Sequence, residues 1–376
     1  MAMRVNDALL PQLGALFGVP LGTAAQVVSL YALAYGATQL VWGPVGDRVG
    51  KYRAVAWAVM GCALVSAACA LAQDFAQLRA ARIVAGTLAA AIIPLSIAWL
   101  GDAVAYEHRQ ATLARFLMGQ IVGLAAGVWL GGLAADHLDW RAPYVVLTAL
   151  YAAVGLWLMA GLRHPALALP RAGAAPSLGG TVRQLGAVMR SRWVQVLLGV
   201  VFLEGAFTFG PLAFVATHLH RSLGVSLSVA GALLMVYAGG GFVYALTARR
   251  LVAGLGEAGL ARAGALALGA GLGLLALAPA WWAAVAGSAL AGLGFYMLHN
   301  TLQVNATQMA AHARGTAVAV FAASFFLGQS AGVTAIGRLV PVIGTGPAIG
   351  LGAVGVAGVG LGFARALTRR RPAGAA

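Results

Sequence analysis

The sequence predicts an all-α integral membrane protein, and its composition and its long apolar runs are the observations that predict it. Of the 376 residues, 61% are apolar and only 9% are charged, and the mean hydropathy is +0.88. A soluble domain has about 25% charged residues. Apolar runs of about 20 residues, long enough for a helix to cross a bilayer, recur along the whole chain. We therefore expect most of the chain to lie in lipid.

These apolar runs predict eleven membrane-spanning helices. They cover residues 24–42, 54–73, 78–100, 113–135, 142–162, 194–218, 225–248, 259–278, 281–308, 316–337 and 343–366. Ahead of them, residues 1–17 include Arg4, Asn6, Asp7 and Pro11 and would be at most about 26 Å long as a perfect helix. We interpret this segment as the second half of a further span, span 1, whose beginning is missing.

The longest gap between spans predicts a division of the chain into two bundles of six helices. Residues 163–193 contain Pro165, Pro170 and Pro176 among alanines, glycines and arginines, a composition typical of a linker. We expect an N-terminal bundle over 1–162, a cytoplasmic linker over 163–193, a C-terminal bundle over 194–368 and a basic tail over 369–376. Many carriers have two such halves, with the substrate site at midplane between them. The alternative is a long loop in another polytopic fold.

Basic residues predict the orientation of the chain. With residues 1–17 counted as span 1, eighteen lysines and arginines lie at or beside the gaps on one side. Only Arg79, Arg141, Arg221 and Arg338 lie on the other side, so the basic side and the C-terminus are expected in the cytoplasm. The net charge of +15 then needs no nucleic-acid partner, because the basic residues are scattered through short gaps and form no single patch.

The gap between spans 2 and 3 contains a motif of basic residues and glycines. It reads Gly-Pro-Val-Gly-Asp-Arg-Val-Gly-Lys-Tyr-Arg from 43 to 53, and we expect a tight turn there. The spacing resembles the loop signature of the major facilitator superfamily, and its position in the predicted topology agrees. The gating residues that this resemblance implies are Gly43, Asp47, Arg48, Gly50, Lys51, Arg53 and Asp102.

The resemblance also implies how this motif acts. Asp47 would face the start of span 11 near Gly315 and Thr316, and Arg48 or Arg53 would face Asp102 at the end of span 4. A carboxylate at a helix N-terminus contributes about 0.3–1 kcal/mol, enough to bias two states without locking one. The alternative is that these charges only solvate a loop and set the orientation of the chain.

Span 5 carries a row of glycines at four-residue intervals. They are Gly119, Gly123, Gly127 and Gly131, with Gly132 beside the last. Such a helix face lets another backbone approach closely. The pattern resembles the antiporter motif of the proton-driven drug-efflux branch of the family, except that Val128 stands where the motif has proline. A glycine face also occurs in other polytopic bundles.

A few ionisable residues fall within the predicted spans. Asp7, Arg82, Glu204 and His299 lie on spans 1, 4, 7 and 10, which line the central cavity in the resembled family. Such groups are costly in lipid and mark functional sites by default. Candidate lining residues beside them are Tyr31, Tyr35, Asn300 and Gln303. In helices, however, aromatic residues are also common as packing or interface anchors.

Glu204 is the candidate proton carrier, because burial disfavours the charged form of a carboxyl group and so favours proton uptake near neutral pH. Arg82 resembles the cavity arginine of the drug-efflux branch and is a candidate to stabilise an ionised carboxylate or to compete with substrate. Alternatives remain: Arg4 is placed to be a simple helix partner of Asp7, and His299 can be an interhelical contact.

The expected function is export of a small organic compound by exchange with protons across the cytoplasmic membrane of a bacterium. The partners are the substrate, protons and lipid, and we expect a monomer. The sequence contains no metal-ligand cluster, catalytic triad or phosphate-binding loop, so we expect neither a cofactor nor an enzyme. The alternatives are a proton-coupled importer or uniporter of sugars or organic acids, and a transport-inactive membrane sensor.

Overall fold

The computed structural model describes residues 1–164, 186, 189–309 and 314–370, and this part of the chain contains α-helices and no strands. The helices are α1 (Leu10–Phe17), α2 (Leu21–Ala24), α3 (Gln26–Val49), α4 (Lys51–Ala70), α5 (Phe75–Ala103), α6 (Tyr106–His137), α7 (Ala142–Gly161), α8 (Arg192–Leu223), α9 (Leu227–Ala276), α10 (Trp281–Thr307), α11 (Arg314–Ile343) and α12 (Thr345–Arg369). Among the described residues, nine helices are long and apolar enough to cross a membrane.

Two of the predicted spans share the longest helix. α9 has 50 residues, which corresponds to about 75 Å and exceeds twice the thickness of the hydrocarbon core. Its backbone leaves the helical conformation at Gly256, where φ is +63°. The segments before and after this break correspond to the predicted spans 225–248 and 259–278.

The N-terminal segment is bent sharply relative to α3. α1 ends at Gly18, which has φ of +62°, a left-handed conformation that glycine adopts without steric cost. After Pro20 and the short α2, the chain continues into α3, and the two arms are bent by 111°. If this bent pair is counted as one span, the number of candidate spans in the described residues rises to ten.

The motif over 43–53 is mostly helical, and the expected tight turn is confined to one residue. α3 continues through Pro44 to Val49, and the chain reverses at Gly50, where φ is +95°. The hydropathy pattern ends the span at residue 42 because polar residues begin there, but the helix itself extends beyond the apolar run. Most of the predicted linker, over 165–185 and 187–188, and the tail over 371–376 lie outside the described residues.

Helix packing defines where the predicted halves meet. In the first half, α5 packs against α3 and α4, and α4 also packs against α7. In the second half, α8 packs against α11 and α12, and α9 packs against α10 and α12. The main contacts across the halves join α6 to α9 and α3 to α11. The segment between these two contacts is where a site shared by both halves would lie.

Candidate functional site

A buried carboxylate and a histidine from different helices form the centre of the candidate site. Glu204 on α8 is fully buried, and its Oε2 lies 2.9 Å from Nδ1 of His299 on α10. The His299 side chain is 19% exposed. Its ring stacks on Phe295 at 4.9 Å and lies 4.7 Å from the Phe325 ring. The second carboxylate oxygen of Glu204 has no hydrogen-bond partner among the described residues.

Glycines on α8 explain why Glu204 is buried. A Cβ at Gly205 would overlap the backbone carbonyl of Phe325, and a Cβ at Gly210 would lie 2.7 Å from the carbonyl carbon of Gly332. α8 therefore packs backbone against backbone on α11 over this stretch, a packing mode that small residues permit. This close approach leaves the carboxyl group of Glu204 inside the bundle and away from lipid.

A second buried ion pair lies close to this centre. Arg4 Nη2 is 2.7 Å from Asp7 Oδ2, and the side chains are 2% and 0% exposed. The guanidinium carbon of Arg4 lies 5.1 Å from the centre of the Phe209 ring on α8. Arg4 is thus the partner of Asp7, as the simpler of the two interpretations expected, and the pair faces the second half of the molecule.

Arg82 lies in the interior of the first half. It is 1% exposed, its Nε donates to the Val27 carbonyl at 3.0 Å, and its guanidinium carbon lies 4.1 Å from the centre of the Tyr31 ring. A small cavity beside it is lined by residues of α3, α4, α5 and α7, among them Cys62, Ser66 and Tyr151. These contacts belong to the first half, away from the Glu204–His299 pair.

The remaining candidate lining residues divide between two places. Tyr35 contacts Phe326 on α11 at 4.3 Å between ring centres, so it lies at the junction of the halves. Asn300 donates through Nδ2 to the Tyr244 hydroxyl on α9 at 2.7 Å. Gln303 is exposed. Asn300 and His299 therefore face different neighbours of α10, and the sequence pattern alone did not identify Tyr244.

The predicted gating motif contains an ion pair, but with a different basic residue. Lys51 Nζ lies 2.5 Å from Asp102 Oδ2, whereas Arg48 or Arg53 was the expected partner; both arginines are exposed. Lys51 begins α4 directly after the reversal at Gly50, which brings it next to the end of α5. Within the described residues, Asp47 has no hydrogen bond or ion pair; residues 310–313, directly before α11, lie outside that part of the chain, so its contact with the start of α11 stays a prediction.

The glycine face of α6 has two partners. A Cβ at Gly127 or Gly131 would overlap the backbone of Met1 or Val5, respectively, whereas Gly119 has open space. Gly123 lies farther from Met1, at 3.7 Å. Gly132 instead meets the backbone of α9, and Gly231 on α9 lies 3.0 Å, measured from its Cβ position, from the carbonyl of Val128. The row of glycines thus packs against both the N-terminal segment and the second half.

Sequence reasoning missed Asp136, which lies at the last turn of α6. Its Oδ1 accepts a hydrogen bond from the backbone N–H of Leu227 at 3.1 Å, and its Oδ2 accepts one from Ser228 at 2.6 Å. Leu227 and Ser228 are the first residues of α9. The signal available in the sequence was an acidic residue one turn after Gly132, at the end of the glycine row.

Comparison with known proteins identifies relatives over most of the chain. The family model described as Major Facilitator Superfamily matches residues 1–333. An uncharacterized MFS-type transporter, YceJ of Bacillus subtilis, is 27% identical over 339 residues, 88% of this chain and 83% of that protein. The drug efflux pump JefA of Mycobacterium tuberculosis is 28% identical over 161 residues, 43% of this chain and 32% of its own length.

Solved structures share the fold at low sequence identity. A point mutant of the nucleoside transporter NupG has a TM-score of 0.79 at 14% identity and covers 96% of this chain and 95% of its own. A point mutant of the peptide transporter POT has a TM-score of 0.73 at 15% identity, covering 98% of this chain and 91% of its own. At this identity the likeness establishes the arrangement of the helices.

Proposed function

Because the chain belongs to the major facilitator superfamily, a family of membrane transporters, we propose that it exports a small organic compound in exchange for protons. The observation that carries this proposal is the Glu204–His299 pair, a fully buried carboxylate whose ionised form has one charged partner available. The proposed location is the cytoplasmic membrane of a bacterium, with the basic loops and the C-terminus in the cytoplasm, and the proposed unit is the monomer.

The pair provides a place where a proton can be bound and released. An isolated carboxylate in an apolar interior is costly, and it is stabilised either by a proton or by a cation at hydrogen-bond distance. Glu204 therefore has two favourable arrangements, a neutral carboxyl group or a carboxylate beside a protonated His299. A substrate that contacts the pair changes the balance between them, and this coupling is what proton exchange requires.

The surroundings of the pair support an amphipathic substrate with an aromatic group. Rings of Tyr35, Phe209, Phe295, Phe325 and Phe326 adjoin one another along the junction of the halves, with centre distances of 4.3–6.1 Å between neighbours. Aromatic walls with a few polar groups are typical of sites for small organic ligands. The drug-export name of JefA points the same way.

Transport into everted membrane vesicles tests the proposal. Vesicles containing the protein are energised by respiration and given ethidium, a planar aromatic cation, or members of a panel of drugs, sugars and amino acids. We expect accumulation of at least one aromatic compound and its collapse on addition of an uncoupler. Accumulation that persists without a proton gradient contradicts proton exchange, and equilibration without accumulation indicates a uniporter.

A matched pair of carboxylate variants tests whether uphill transport depends on the Glu204–His299 site. Glu204→Gln is expected to abolish uphill transport, whereas Glu257→Gln is expected to retain it, because Glu257 is exposed and, among the described residues, its carboxylate accepts a hydrogen bond from Asn305 and has no charged partner. Both proteins must reach the membrane in equal amounts. Full uphill transport by Glu204→Gln removes Glu204 from the mechanism.

A further inference from the structure

The end of α6 makes a polar contact across the two halves that the transport site does not use. The Asp136 carboxylate belongs to the first half, and the N–H groups that it binds, those of Leu227 and Ser228, belong to the second half. The first N–H groups of a helix have no partner inside the helix, and an acidic side chain stabilises them by hydrogen bonding and by its charge. Asp136 therefore caps a helix of the opposite half.

The helix packing next to Asp136 indicates that its two hydrogen bonds form only when α6 and α9 are in close contact. One turn before Asp136, a Cβ at Gly132 would overlap the carbonyl of Leu227, and Gly231 on the next turn of α9 approaches the backbone of Val128 and Trp129. The carboxylate reaches the α9 N-terminus only because the two backbones touch here. A small separation of α6 from α9 breaks both hydrogen bonds together.

A second contact closes the same end of the molecule. Gly22 at α2 meets Gly337 near the end of α11 so closely that a Cβ on Gly22 would overlap the carbonyl of Gly337. Toward the basic ends of α3 and α6, a Cβ at Gly43 or at Gly119 would meet no atom within 4 Å. The structure is therefore closed at the end opposite the basic loops, which is the end where Asp136 lies.

We propose that the Asp136 cap stabilises the state closed at this end and sets the population of the state open there. The inference rests on the exchange transport proposed above, in which the two halves open in turn at the two ends (alternating access), but it assigns to Asp136 a role separate from substrate and protons. When the halves separate, water hydrates the carboxylate and the freed N–H groups, so the cap biases the equilibrium without locking it. The expected bias is about fivefold in the closed-to-open ratio, the equivalent of one helix cap.

Distances between spin labels measure this population directly. Labels are placed at Leu138 and Arg221, which are exposed on the first and second half near this end, in a Cys62→Ala, Cys69→Ala background reconstituted in nanodiscs without substrate. In the parent protein we expect mainly the short distance. In Asp136→Ala we expect the long-distance fraction to rise, changing the ratio about fivefold. Asp136→Asn, which keeps one acceptor and loses the charge, should give an intermediate ratio.

Asp139→Ala is the matched control, because the Asp139 carboxylate is exposed in the same turn and interacts with Arg141 of its own half. Its distance distribution should equal that of the parent protein. An unchanged distribution in folded Asp136→Ala overturns the inference, and so does an equal shift in Asp139→Ala. If Asp136→Ala does not fold, the Asp136→Asn comparison decides. Since the readout needs no transport, a failure of proton exchange leaves this test intact.

Discussion

His299 Nδ1 lies 2.9 Å from Glu204 Oε2, and the two residues come from helices α10 and α8, 95 positions apart in the chain. The histidine ring packs against both Phe295 and Phe325, and this packing restricts its orientation toward the carboxylate. Glu204 has no exposed surface, whereas His299 does. The pair therefore combines a carboxyl group without exposed surface and a histidine that is partly exposed.

Replacement of Glu204 by glutamine tests whether this carboxyl group couples transport to the proton gradient. The amide has nearly the same shape and stays neutral, so it retains a hydrogen bond to His299 but binds no exchangeable proton. We expect loss of substrate-induced proton release from proteoliposomes, together with retained substrate exchange between the two sides. A pH-sensitive dye outside the vesicles measures the release. Proton release at the wild-type rate in this variant contradicts the assignment.

Replacement of His299 by glutamine tests the other member of the pair. The ionised Glu204 carboxylate loses its charged partner while staying buried, and we expect destabilisation of about 1–3 kcal/mol and slower proton release. Thermal unfolding in detergent measures the first effect. His220→Gln is the control, since within the described residues the His220 ring hydrogen-bonds with the Val225 carbonyl, at 2.7 Å near the end of α8, and with no carboxylate. If both variants unfold alike, the pair has no special role in stability.

Alanine substitutions along the α6 glycine row test the close backbone approach. At Gly131 a methyl group would overlap the carbonyl of Val5, whereas at Gly119 it meets open space. Gly131→Ala should cost about 1–3 kcal/mol through overpacking. Gly119→Ala should be neutral or stabilising, because alanine is the better helix former. The melting temperatures of the two variants are compared in one detergent. A melting temperature of Gly119→Ala below that of Gly131→Ala contradicts the packing described.

Sequence and structure agree best for the membrane helices, which the composition of the chain predicts directly. The apolar runs located the membrane helices because burial in lipid imposes composition residue by residue. Glu204 and His299 were both identified as candidates, but no local pattern indicates that groups 95 positions apart form a pair. Asp136 escaped notice because its partners are backbone N–H groups, which carry no side-chain signature. The choice of Lys51 over Arg48 follows from the reversal at Gly50, a backbone property.

The Lys51–Asp102 pair is partly exposed, at 21% and 50%, and so should contribute less than about 1 kcal/mol to stability. We expect Asp102→Asn to leave the melting temperature nearly unchanged. If the pair gates the cytoplasmic side, the same variant changes the transport rate. The charge exchange Lys51→Asp with Asp102→Lys should restore that rate. If the double variant transports no faster than Asp102→Asn, the ion pair does not determine the transport rate.

The Arg4–Asp7 pair offers the opposite case, since both side chains are almost fully buried. Asp7→Leu leaves the Arg4 guanidinium without its carboxylate in an apolar interior, and we expect a loss of about 3–5 kcal/mol. Adding Arg4→Met removes the stranded charge, so the double variant should recover most of that loss. Unfolding of both proteins in the same detergent measures the difference. In the double variant, apolar packing replaces what the ion pair contributes to stability. If this variant folds well but does not transport, the pair has a role in transport. If it is no more stable than Asp7→Leu, the pairing itself is contradicted.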